Sequence, residues 1–267
     1  MSRKTLSRKV DKGLLKFNLI EPGDKILLAI SGGKDSLTMA YFLGHKQKKF
    51  PIPFELGAVH IEGDFPGCGK SPVMAELMEQ WDIPFEIIKV PIMERLKPGK
   101  SMNCYWCSTQ RRMELLRYAG EHGYNKIALG HHMDDILETF FMNMMYKSEL
   151  STMLPKLKYD RYPFTVIRPL AYVKEQEIID FAEDMDLLKA AATCSYGTTS
   201  NRLDARSIID EIAAKEGTHI KDNIFEAMCS PVHRYMPYTL LEEGAGPEDQ
   251  SDLNCTDDLD NSRDKES

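Results

Sequence analysis

Three short stretches carry residue types that could do chemistry. Ser31-Gly32-Gly33-Lys34-Asp35-Ser36 packs two glycines, two hydroxyls, an ammonium and a carboxylate into six residues. The glycines let the backbone turn tightly and bring N–H groups close to an anion. Lys34 can neutralise phosphate oxygens. Ser31 and Ser36 can donate hydroxyl hydrogen bonds, and Asp35 can hold Mg²⁺ directly or through water. The spacing is neither GxxxxGK[ST] nor GxGxxG, which disfavours a Walker-type NTPase and a dinucleotide enzyme. Gly130-His131-His132-Met133-Asp134-Asp135 ends in adjacent carboxylates, suited to Mg²⁺ or to acid and base work. A helix cap could use the same Asp134 or Asp135. A mononuclear metal site made of His131, His132 and both aspartates is the weaker option, because neighbours on one turn do not face one point. Cys104-Tyr105-Trp106-Cys107 is a C-x₂-C pair. Alone it could be half a zinc site, a thiol–disulfide motif or half a cluster site. No second C-x₂-C or H-x₃-H follows to complete a zinc site.

These stretches need a scaffold that brings them together. Apolar, strand-like runs at 25–30, 54–61, 85–90, 126–129 and 164–167 alternate with helical spacing at 37–43, 72–80, 109–121 and 136–145. The alternation predicts an α/β fold, a doubly wound parallel sheet of about five strands covered on both faces. The glycine loop follows the first strand and opens a helix, where backbone N–H groups and partial positive charge favour an anion. The histidine–aspartate segment follows the fourth strand. Both then lie at the carboxyl edge, where open α/β sheets bind ligands. Beyond Tyr172 the pattern turns helical at 174–186, 203–215 and 220–227, a helical C-terminal part of the same domain.

The chain has 267 residues, 42% hydrophobic and 28% charged, with no apolar run near 18 residues and no signal-peptide core at its start. A cytoplasmic protein away from membranes is expected, and six cysteines are too few for a disulfide scaffold. The net charge of −7 hides an asymmetry. Residues 241–267 hold ten acidic and two basic residues, and without them the body stands at +1. The first sixteen residues carry six Lys or Arg against one Asp. Residues 1–20 therefore read as a basic arm, 21–235 as the catalytic domain and 236–267 as an acidic disordered tail. Such an arm suits a polyanionic partner or, more blandly, a solvated amphipathic helix.

The hexapeptide at 31–36 resembles the pyrophosphate loop of the ATP-pyrophosphatases, whose fold is of the adenine nucleotide alpha hydrolase type. Those enzymes split ATP into AMP and pyrophosphate while adenylating a substrate oxygen. GHHMDDILET, the C-x₂-C followed by Arg111 and Arg112, the run IRPLAY and Cys194-x-Tyr196 extend the resemblance to the cluster-dependent tRNA 2-thiolation enzymes, nearest the 2-thiocytidine group. It runs from about Phe17 to Arg206. It implies ATP and Mg²⁺ at the 31–36 loop, with Ile30, His60 and Gly130 as further nucleotide contacts. It implies catalytic roles for Lys34, Asp134 and Asp135, and a [4Fe–4S] cluster on Cys104, Cys107 and Cys194 with one iron left open. The product would be a 2-thiolated pyrimidine, cytidine 32 in the nearest group, with sulfur from a cysteine desulfurase. The later segment has one cysteine where the 2-thiocytidine enzymes have two, and its spacing to Arg202 and Arg206 looks like the 2-thiouridine branch, so the base stays open. Arg111, Arg202 and Arg206 are candidates for tRNA or phosphate contacts. Cys68 is a persulfide carrier or an inert loop thiol; Cys229 and Cys255 are incidental. A homodimer stays open. A tRNA lysidine synthetase would share both loops without needing the cysteines, and a non-catalytic nucleotide module could dispense with Asp35, Asp134 and Asp135.

Overall fold

The computed structural model describes residues 2–65, 72–97, 99, 101–160, 162–190 and 200–232. At its centre is β1 (Asp24–Ala29), buried along most of its length as an apolar strand between two parallel neighbours must be. Those neighbours are β2 (Phe54–Gly63) and β4 (Lys126–Ala128). Outside them run β3 (Phe85–Val90) and β6 (Thr165–Ile167), also parallel. A sixth strand, β5 (Lys156–Lys158), closes one edge antiparallel to β6 and gives the order β3-β2-β1-β4-β6-β5. The five expected parallel strands are present. The sixth is a three-residue Lys-Leu-Lys, too short for an alternating pattern and charged as an edge strand tends to be.

The side-chain period of two divides β1 between two cores. Ile26 and Leu28 join the core formed with Leu37, Met39 and Leu43 of α2 (Lys34–Gln47). Leu27 points the other way, to Leu115, Tyr118 and Ala119 of α4 (Cys104–Glu121). Helix α1 (Arg3–Lys16) buries Leu6, Val10 and Leu14, one stripe at a spacing of four, in the first of these cores. The basic arm is thus a docked helix. Its Lys9 pairs with Glu177 at 2.7 Å, and Lys12 and Lys16 reach Glu226 at 2.7 and 2.6 Å. Arg3 meets Asp184. Much of the charge expected for a polyanionic partner is answered inside the fold.

Helix α3 (Pro72–Gln80) follows β2, and α5 (Met133–Lys147) follows β4. After β6 come α6 (Glu175–Asp184), a 3₁₀ turn (Leu187–Ala190), α7 (Ser200–Glu216) and α8 (His219–Cys229). Helix α4 starts at Cys104 rather than near residue 109. Asn103 caps it, its side chain accepting from Trp106 N at 2.8 Å. The cysteine pair therefore sits in the first helical turn. Among the described residues no helix is long and apolar enough to cross a membrane.

Candidate active site at the carboxyl edge of the sheet

The strand order reverses between β1 and β4, and the loops after these two strands meet there. Ile30 N–H bonds to Val59 O at 2.9 Å, and the chain then turns through Gly32 at φ +87°, the left-handed region that favours glycine. Ser31 Oγ accepts from Gly33 N at 3.2 Å and lies 3.1 Å from Ser36 Oγ. The Ser36 hydroxyl also donates to Gly33 O at 2.9 Å. Gly33 is the N-cap of α2 and offers no side chain to its first N–H groups, so these remain available to an anion. Lys34 Nζ sits 3.1 Å from both Asp35 Oδ1 and Glu175 Oε1. Burial disfavours the ammonium, but the two carboxylates outweigh it and hold Lys34 above the ordinary lysine range. Asp35 Oδ1 is buried and has no hydrogen-bond partner of good geometry.

The second loop is pressed against the first. A Cβ on Gly130 would lie 2.9 Å from Ser36 N and 3.0 Å from Asp35 C, so only glycine lets the two backbones approach this closely. His132 bridges Leu170 and caps α5. Its Nδ1 accepts from Asp135 N at 3.4 Å while its backbone N–H donates to Asp135 Oδ2 at 3.0 Å. The cap that Asp134 or Asp135 could have made is shared: His132 is the N-cap, and Asp135 closes the reciprocal bond.

The two aspartates turn to different neighbours. Asp134 Oδ2 accepts from Glu175 N at 2.6 Å, and Oδ1 accepts from Lys221 Nζ at 2.8 Å. Burial works to raise this carboxyl, but those bonds outweigh it and hold it below the ordinary aspartate range. Asp135 lines the cleft, and its Oδ1 accepts from Arg202 Nη2 at 2.5 Å. Arg202 also reaches Glu138 at 2.7 Å, and Arg206 spans Glu138 at 2.6 Å and Glu175 at 3.3 Å. Glu138, 2% exposed, is thereby neutralised by two arginines. Of the three arginines expected to meet tRNA or phosphate, Arg202 and Arg206 are bound up in this network, which ties α7 to both loops, while Arg111 lines the cleft.

The cleft measures about 390 Å³. Val59, Ile61, Ile127, Leu129 and Val166 make an apolar floor, and Ser31, Asp35, Ser36 and Asp135 supply polar groups at one end. Its far wall is α4. Ser108, Arg111 and Leu115 follow Cys104 and Cys107 along one helical stripe and line the space. Cys104 is exposed and Cys107 half-buried, both in the first turn of α4. Two thiols three residues apart on one turn fit an iron–sulfur half-site. Cys194, the third expected ligand, lies outside the described residues, as do Cys68, Cys255 and the segment 236–267. Among the described residues no three His, Cys, Asp or Glu side chains form a metal-binding group, so the mononuclear site considered for the His131–Asp135 segment does not assemble.

Of the expected nucleotide contacts, Ile30 and Gly130 line the cleft. His60 is 2% exposed, with Nδ1 2.7 Å from Ile30 O. Burial lowers its pKa, so a neutral ring supports the strand end from behind. Glu138, Arg168, Glu175 and Lys221 were not read from the sequence as site residues. Glu138 sits three and four residues beyond the aspartates, a spacing that would have flagged it; nothing local marks Glu175 or Lys221.

A glycine loop cupping an anion site at the switch point of a parallel sheet defines a nucleotide-binding α/β protein. Residues 3–188 match the PP-loop domain family, and the chain belongs to that family. Within it, the tRNA-cytidine(32) 2-sulfurtransferase of Stenotrophomonas maltophilia is 45% identical over 187 residues, 67% of this chain and 60% of that protein. Its counterpart in Paraburkholderia xenovorans is 36% identical over 260 residues, 94% of this chain and 77% of that protein. Among solved structures, the U34-tRNA thiolase NcsA from Methanococcus maripaludis, with its [4Fe–4S] cluster, superposes with a TM-score of 0.71 at 25% identity. The match covers 90% of this chain and 82% of that one.

Proposed function

We propose that this chain is an ATP-dependent tRNA sulfurtransferase that replaces the C2 oxygen of a tRNA cytidine, position 32, with sulfur. One observation carries the reading: Ser31, Asp35 and Ser36 of the loop, Asp135 and the stretch of α4 from Ser108 onward, which directly follows Cys104 and Cys107, line a single cleft. ATP is used at the loop, its phosphates facing the uncapped start of α2 and Lys34. Asp35 Oδ1, buried at the cleft and free to exchange its Lys34 ion pair for a cation, is suited to hold the accompanying Mg²⁺. The apolar floor accepts a flat base drawn from an unpaired loop.

The C2 oxygen of the base attacks the α-phosphorus and pyrophosphate leaves, so AMP becomes joined to that oxygen. Hydrosulfide then attacks C2, the C2–O bond breaks and AMP departs with the oxygen, the sulfur losing its proton to solvent or a base. Asp135, oriented by Arg202 and His132, stands at the cleft wall to position the reacting base. Lys34 exchanges its carboxylate partners for phosphate oxygens as charge develops there. Cys104, Cys107 and Cys194 would hold a [4Fe–4S] cluster, which supplies an open iron to carry the hydrosulfide. A cysteine desulfurase is the fitting sulfur source.

The test is mass spectrometry of nucleosides from tRNA incubated anaerobically with the reconstituted protein, ATP, Mg²⁺ and sulfide. 2-Thiocytidine is the expected product. Adenylate turnover that yields an amino-acid-modified cytidine and no thionucleoside would replace this reading with a lysidine-type ligase.

A further inference from the structure

His131 lines the cleft, yet no step above uses it. Its ring is held from behind. Arg168 Nε–H donates to His131 Nδ1 at 3.3 Å. A guanidinium has donors only, so Nδ1 must present its lone pair. The one proton of the neutral ring then sits on Nε2. Arg168 cannot easily turn away. It is 7% exposed, its Nη1 donates to Leu154 O, and its backbone N–H bonds to Pro155 O at 2.8 Å. The bridge between His132 and Leu170 locks the two backbones side by side.

Among the described residues the charged or titratable groups acting most on this ring are Arg168 beyond β6, Asp135 on α5, Arg202 on α7 and the neighbouring His132, and Asp35, Arg111, Arg112 and Tyr159 line the same cleft. Burial, then Arg168, push His131 down to about 4, and the pull of Asp135 does not reverse this. The ring stays uncharged at neutral pH. Its place along the chain matters too. Gly130 is pressed on Ser36 N, so His131 starts one residue from the anion loop.

We propose that His131 donates from Nε2–H, as a neutral imidazole, to a non-bridging oxygen of the nucleotide's α-phosphate, and that Arg168 is the positioning residue that fixes this tautomer. The inference rests on the proposed function only in placing a nucleotide in the cleft. A neutral donor stabilises the charge that builds on phosphorus oxygens during attack without protonating the base oxygen that must attack.

Two measurements test it, neither needing sulfur. In ¹H–¹⁵N spectra of ring-labelled full-length protein at pH 7, His131 should show the Nε2–H tautomer, and Arg168→Met should release it to a mixture. In tRNA-dependent pyrophosphate release, His131→Phe should lower kcat about 100-fold with ATP affinity changed less than threefold. His131→Gln, whose amide can stand near Nε2, should recover at least tenfold of that loss. Arg168→Met should add an acid limb to the pH profile near the ordinary histidine value of about 6.5. An Nδ1–H or doubly protonated ring in the wild type would overturn the proposal. So would wild-type turnover by His131→Phe, or no gain from Gln over Phe when both melt like the parent. A wild type that releases pyrophosphate yet never thiolates tRNA would count against the proposed function alone.

Discussion

Asp134 and Asp135 are neighbours on the first turn of α5 and face two different regions of the molecule. On one side Asp134 is closed in by Lys221 of α8 and the backbone of α6, with 6% of its surface exposed. On the other, Asp135 stands at the wall of the nucleotide cleft, with one oxygen held by the His132 cap and the other by Arg202. Consecutive helical residues point about 100° apart, so a paired-carboxylate motif need not deliver two carboxylates to one substrate. Here α5 separates an enclosed ion-pair system from the cleft-lining carboxylate that the proposed function uses. The same first turn anchors the C-terminal helices and equips the cleft.

The comparison predicts that cleft-side changes act on turnover and far-side changes on stability. The largest effect belongs to the loop: Lys34→Ala and Asp35→Ala should each cut pyrophosphate release by roughly 1,000-fold, since positioning and charge neutralisation supply most of the acceleration. Thermal melting should move by only a few degrees, because Lys34 has no core role. Normal turnover in both would remove the loop from the site. Next, Asp135→Asn should lower thiolation about 100-fold, whereas Asp134→Asn should stay within tenfold of the parent. Equal losses in the two would erase the division.

The smallest effect is thermodynamic. Asp134→Asn leaves Lys221 with Asp210 as its remaining carboxylate partner and should cost roughly 1 kcal/mol at neutral pH in denaturant unfolding. The sign with pH follows from its lowered folded pKa. The stabilisation is present above the unfolded aspartate value of about 3.9 and is lost as pH falls through the lower folded value. The gap between parent and variant should therefore close toward pH 2. A gap that widened on acidification would contradict the Lys221 pairing.

The sequence made the nucleotide half of the site plain because its signals are local. Two glycines, a lysine and an aspartate between a strand and a helix specify their own geometry, and the switch point then places the loop. The histidine–aspartate segment was legible as a loop but not as a division of labour, because the partner of Asp134 comes from α8, 87 residues away. Glu175 and Arg168 stayed hidden for the same reason: each matters through a partner brought near by the sheet, Lys34 and His131. The early start of α4 was written in Asn103, a capping residue type directly before the cysteine pair, while the helical spacing is plain only from 109 onward. The edge strand β5 had no pattern to show.

The central claim is that ATP activates the base by taking up its C2 oxygen. An anticodon stem-loop carrying ¹⁸O at C2 of cytidine 32, treated with the reconstituted protein, ATP, Mg²⁺ and sulfide, reads it directly by mass spectrometry of the released nucleotide. The account predicts one ¹⁸O in AMP for each 2-thiocytidine formed and none in pyrophosphate. Thiolation that leaves AMP unlabelled, with the ¹⁸O released to water, would contradict it.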